Sequence, residues 1–204
     1  RTKSAQAAAK DGYELYFSTF EKAQKIDEMH FFYGELLFDM GDYERSAVHY
    51  NWVVNNASQS QYFEKSLLNS LLSYEKRLPS DAQIKALVGE SSTEIEFTPA
   101  IKDFEVAANR FLQRSPKSEN VVAVRYRLGA LYYLFNKFDR AIPVLTDIVK
   151  RHPKTSYAKF SANHLLDIYN IKNDYVGLQK VANEILAIPD LANSNVGAQI
   201  RDIK

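Results

Sequence analysis

Apolar positions recur along this chain at intervals of three and four residues, the spacing that places them on one face of a helix. The pattern is clearest from Phe31 to Met40 and from Arg125 to Phe135. No segment alternates strictly between apolar and polar residues with turn signals on either side, so no strands are expected. Pro116 and Pro153 follow helix-like runs, where a missing N–H and a fixed φ stop a helix. The pattern predicts helices over 4–21, 28–40, 43–56, 61–77, 98–114, 119–135, 138–151, 156–171 and 174–188. The stretch from Leu78 to Phe97 breaks the periodicity with Pro79-Ser80-Asp81, Gly89 and the polar run Glu90-Ser91-Ser92-Thr93-Glu94. It reads as an inserted loop with one helical turn near Ala82–Val88. The expected order is N-terminal helices over 1–77, the insertion over 78–97, further helices over 98–190 and a tail over 191–204. Val181, Ile185 and Leu186 give the last long helix an apolar face, and Val196, Ile200 and Ile203 follow in the tail. The tail is expected to fold back as a partial cap, or the chain to continue into another repeat.

The two helical halves repeat each other. His30–Tyr74 aligns without gaps on Arg125–Tyr169 at an offset of 95 residues. Gly34 then meets Gly129, Leu36 meets Leu131, Arg45 meets Arg140, Tyr62 meets Tyr157 and Tyr74 meets Tyr169. Aromatic rings coincide at Phe31/Tyr126, Phe38/Tyr133 and Tyr43/Phe138, and Tyr16 falls on Phe111. Within each half a 37-residue interval separates Gly34 from Leu71 and Gly129 from Leu166. Helix pairs at this spacing predict an all-α solenoid in which antiparallel pairs stack into a right-handed superhelix.

Composition narrows the chemistry. Lys and Arg total 26 and Asp and Glu 25, for a net charge of +1 in 204 residues. A dedicated nucleic-acid binder needs a basic surplus on one face, so nucleic acid is not an expected partner. With no cysteine there are no disulfides, thiolate metal sites or thiol nucleophiles. That absence suits an oxidising envelope compartment. The longest unbroken apolar stretch, Ala130–Phe135, is too short to span a bilayer.

The residues Leu128-Gly129, Tyr132, Phe138, Ala141, Ile148 and Pro153 resemble the tetratricopeptide repeat. Tyr33-Gly34, Gly41-Asp42-Tyr43, Ser46 and Tyr50 form a second copy; those led by Leu71 and Leu166 are degenerate, and the family's Trp is missing from helix A. The resemblance implies close approach of helix A to helix B at Gly34 and Gly129. It also implies a role in holding other proteins. The spacing and His152-Pro153-Lys154-Thr155-Ser156-Tyr157-Ala158 look like envelope tetratricopeptide proteins of Gram-negative bacteria, including those of β-barrel assembly, the Tol–Pal system and gliding motility. A place in the periplasm or cell envelope is therefore expected, within a membrane-associated complex; the alternatives are a cytoplasmic adaptor or an accessory domain of a larger protein.

No constellation for chemistry stands out. His30, His49, His152 and His164 form no HExxH and no close pair along the sequence, and no GxSxG or phosphate-cradling Gly-rich loop is present. No catalysis, cofactor or metal is expected. Lys150-Arg151-His152 reads as charge at a helix C-terminus. In the repeat register the inner face of helix A carries Phe31, Glu35 and Phe38 in the first copy. It carries Tyr126, Ala130 and Tyr133 in the third and Asn163, Asp167 and Asn170 in the fourth. Rings graded into amides and an acid suit a protein partner's peptide or helix. Phe31 and Glu35 stand where a carboxylate-clamping repeat would need Lys and Asn, so that subtype is not expected.

Overall fold

A computed structural model describes residues 3–20, 23–89 and 93–203. Glu90-Ser91-Ser92 of the polar run, and the side chain of Ile203, lie outside what is described. The described residues form twelve helices and no strand. They are α1 (Lys3–Thr19), α2 (Ile26–Asp39), α3 (Tyr43–Asn56), α4 (Phe63–Lys76), α5 (Asp81–Val88), α6 (Pro99–Arg114), α7 (Val121–Leu134), α8 (Phe138–Arg151), α9 (Ser156–Ile171), α10 (Tyr175–Leu186), α11 (Pro189–Ala192) and α12 (Asn195–Ile203). Neighbouring helices pack in pairs, α2 on α3, α4 on α6, α7 on α8 and α9 on α10. The chain divides into two compact units, one of Arg1–Pro79 with Thr98–Ser115, the other of Ser80–Phe97 with Pro116–Lys204.

One turn is used three times. Gly41, Asn136 and Asn173 each adopt a positive φ, of 81°, 55° and 53°, immediately after α2, α7 and α9. Glycine and asparagine are the residues that enter this conformation at least cost. After each, an N–H group closes on the last turn of the preceding helix: Asp42 on Leu37 O, Lys137 on Tyr132 O and Asp174 on Tyr169 O, all at 2.8–3.0 Å. Asp42 and Asp174 then cap the next helix, accepting from the N–H of Arg45 at 3.3 Å and of Gly177 at 2.8 Å.

Above each of the first and second of these turns the helices touch at a glycine. A Cβ on Gly34 would lie 2.9 Å from the Tyr50 ring, and one on Gly129 would lie 2.8 Å from Leu145 Cδ2. Tyr50 and Leu145 are wholly buried and cannot retreat. Gly129→Ala gains about 1 kcal/mol of helix propensity. It loses more by overpacking, which costs about 1–3 kcal/mol. A net loss of up to about 2 kcal/mol is expected in urea unfolding, with an unchanged helical spectrum.

The insertion is more ordered than a loop with a single helical turn. Ser80 and Gln83 form a reciprocal capping box at the start of α5, which runs two turns and buries Ile84. Thr93–Phe97 then lies as an extended strap on the turn between α7 and α8. Ile95 N–H donates to Phe135 O at 3.0 Å, and Asn136 Nδ2 donates to Thr93 O at 2.9 Å. Lys137 Nζ reaches Glu94 at 2.6 Å, and Phe97 stacks on Tyr132 and meets Phe135 edge-on. The tail folds back: α12 packs on α9 and α10, with Val196 and Ile200 buried.

Candidate functional site

In the first unit the inner-face residues are largely engaged with their own fold. Phe31 is only 6% exposed; it stacks on Tyr62 with ring centres 4.6 Å apart and packs on Tyr50 and Val53. Glu35 accepts from the Tyr50 hydroxyl at 2.5 Å and from Asn69 Nδ2 at 2.6 Å. Burial, then the bonded Glu35 carboxylate, pushes the Tyr50 hydroxyl far above its ordinary pKa, so it stays a donor. Phe38 is half-buried and meets Tyr43 edge-on. Of the three, Phe31 belongs to the core.

At the 95-residue offset Glu35, Tyr50 and Asn69 become Ala130, Leu145 and His164. The polar link of the second unit sits one turn further along. Tyr133 donates its hydroxyl proton to Asp167, and burial followed by that carboxylate drives the Tyr133 pKa up. His164 lies flat on Tyr133, ring centres 4.2 Å apart, and its Nε2 is 3.3 Å from the Tyr126 hydroxyl. Burial holds His164 below the ordinary histidine pKa despite Asp167, so at neutral pH the ring is an uncharged stacking partner. Tyr126 also contacts Tyr157 and Phe160, and Phe160 is half exposed.

Beyond Asp167, α9, α10 and α12 enclose a cleft of about 670 Å³. Asn163, Asp167 and Asn170 line it from α9. Leu166, Leu178, Ala182 and Ile200 supply its apolar surface, while Gln179 and Gln199 add two further amides. Asn163 and Asn170 are exposed, and Tyr175 stands at the margin 66% exposed. The volume lies in the range of ligand clefts, and its mix of apolar surface with a few directed polar groups suits recognition.

Several features escape a reading of the sequence alone. His164 is part of the aromatic face, and its spacing of three residues from Asp167 was a usable signal. His30 and His49, far apart in sequence, face each other with their Nδ1 atoms 2.8 Å apart, between Trp52 and Phe17. The close pair absent from the sequence thus exists in the fold. In the basic run, Lys150 pairs with Glu184 at 3.1 Å and Arg151 with Asp147 at 2.6 Å, and His152 caps α8. Among the described residues no three of His, Asp and Glu converge as metal ligands, and no helix is long and apolar enough to cross a membrane.

No family model matches the sequence, and no curated protein matches it either.

Proposed function

We propose that this protein is a non-catalytic scaffold of the tetratricopeptide type, and that the α9–α10–α12 cleft holds an extended segment of a partner protein. The observation that carries the reading is the cleft's surface chemistry. Asn163, Asn170, Gln179 and Gln199 each offer both a donor and an acceptor beside an aliphatic floor. An extended peptide has backbone N–H and C=O groups free to meet them and side chains to fill the floor. A docked helix has already paired its backbone. It would leave amides desolvated at about 1–3 kcal/mol each. Asp167 keeps acceptor capacity beyond the bond from Tyr133, which favours a lysine, arginine or hydroxyl on the ligand.

The repeated turn at Gly41, Asn136 and Asn173 and the glycine contacts at Gly34 and Gly129 support the reading of the chain as repeated antiparallel helix pairs. Absence of cysteine and the resemblance to envelope repeat proteins support a periplasmic or envelope setting.

The test uses a phage-displayed random decapeptide library selected on the immobilised protein. Enriched sequences should carry aliphatic residues and a cationic or hydroxylated residue. Their affinity should fall at least tenfold in Asn170→Trp, where an exposed position receives a ring that blocks the cleft, with thermal stability unchanged. Equal affinity for Asn170→Trp would place peptide binding elsewhere.

A further inference from the structure

Arg110 of α6 is a half-buried cation without an acid partner among the described residues. Its Nη2 donates to Asn51 Oδ1 and, at 3.1 Å, to Ser70 Oγ, both neutral acceptors. Its Nε is sealed from solvent with no acceptor. Its Nη1 makes no hydrogen bond among the described residues. Burial lowers its pKa, Tyr74 opposes that shift and the neighbouring Arg114 adds to it. Arg77 and Asp103 pair with each other at 3.4 Å, and Arg114 lies over the Phe63 ring. Tyr74 accepts from Asn51 Nδ2 at 2.9 Å, while its own hydroxyl proton has no acceptor among the described residues. Arg110 and Tyr74 line one small cavity of about 130 Å³, with Asn51, Asp103, Val106 and Ala107.

The repeat shows that this arrangement is not demanded by packing. At the 95-residue offset Asn51 becomes Thr146 and Ser70 becomes Leu165, although Tyr74 is kept as Tyr169. Leaving a half-buried guanidinium without an acid partner is costly, and the fold keeps one here beside an open volume.

We propose that this cavity is a binding site for a carboxylate group. The Nη1 N–H groups and the Tyr74 hydroxyl are donors of the kind a carboxylate accepts. The volume is below the ~150 Å³ that admits benzene, so it takes a carboxylate group carrying one or two further carbons. Asp103 on the wall opposes a dianion such as phosphate more than it opposes a carboxylate monoanion. The site is independent of the α9–α10–α12 cleft.

The test follows the Arg110 Nε–H resonance of ¹⁵N-labelled protein during titration with propionate, inorganic phosphate, the tripeptide Gly-Gly-Ala and its C-terminal amide. Propionate should give a saturable shift with a Kd of roughly 1–10 mM, weakened about tenfold by Arg110→Lys. Tighter binding of the tripeptide acid, with a silent amide, identifies the terminal carboxylate of a polypeptide as the source; equal binding identifies a free small carboxylate. Asp103→Asn should tighten every carboxylate a few-fold. A second resonance, the side-chain amide of Asn51, reports the same site in Arg110→Gln, where the response should vanish. Should Arg110→Gln fail to fold, Tyr74→Phe replaces it, with a loss of about threefold expected. No saturable shift by about 100 mM propionate, tighter binding of phosphate, or an unchanged response in whichever of these variants is used would overturn the proposal.

Discussion

Lowering the pH from 7.5 to 5 is expected to remove up to about 4 kcal/mol of stability through His30 and His49, reduced by the solvent screening of their exposed edges. The rings share one Nδ1–H···Nδ1 contact at 2.8 Å, which requires one ring to donate and the other to accept. A second proton would set two N–H groups against each other in an aromatic enclosure of Phe17, Tyr33 and Trp52. Burial first, then the partner ring, depresses His30 to about 3. Burial first, then Arg45, depresses His49 to about 4, and Asp27 and Glu14 oppose these shifts only in part. In the unfolded protein both rings take up protons near pH 6.5. Stability from the neutral pair is therefore complete above that pH and is lost as pH falls toward the folded-state values. At pH 5 each ring forfeits at most about 2 kcal/mol, reduced by solvent screening. Urea unfolding of the wild type and of a His30→Gln/His49→Gln variant, across this range, isolates the effect. The variant should have the shallower slope by that amount, whereas parallel profiles would show that the rings do not resist protonation. By NMR, neither ring should titrate between pH 7.5 and 5.5.

A second pair of substitutions separates fold from recognition. Asp167→Ala should weaken a selected peptide about thirtyfold, since a hydrogen bond to a charged group contributes roughly 2 kcal/mol. Tyr133→Phe should weaken it several-fold, because it frees Asp167 from the bond that orients it. Both variants should stay within about 2 kcal/mol of wild-type stability, because neither residue is fully buried. Phe31→Ala should do the opposite. It empties a core position and should lose about 3–5 kcal/mol of stability while the folded fraction binds peptide normally. Thermal unfolding and fluorescence anisotropy on the same preparations read both quantities.

The helices were legible because their apolar faces recur over long segments, and the helix pairs because Gly34 and Gly129 mark close contacts at a fixed offset. The strap was not. Thr93–Phe97 has no periodicity, and its place is set by tertiary partners, Lys137 and the rings of Tyr132 and Phe135. Asn163, Asp167 and Asn170 share one face of α9 by their spacing in the sequence, and all three line the cleft. Gln199 and Ile200, which complete the cleft, sit on a tail with no counterpart in the repeat. The ring positions carried less information, because the register gives direction but not depth; Phe31 and Tyr126 occupy equivalent positions, and only Phe31 is sealed, by Tyr62. The histidine pair had one readable cue: His30 and His49 lie on the two arms of a hairpin turning at Gly41, which brings distant positions side by side.

Chemical-shift mapping of a selected peptide onto the labelled protein tests the cleft most directly. Perturbed backbone and side-chain amides should cluster at Asn163, Asp167, Asn170, Gln179 and Gln199, with the bound peptide extended by its own NOE pattern. Perturbations centred on other helices with these five residues silent, or a helical bound peptide, would contradict the proposed mode of binding.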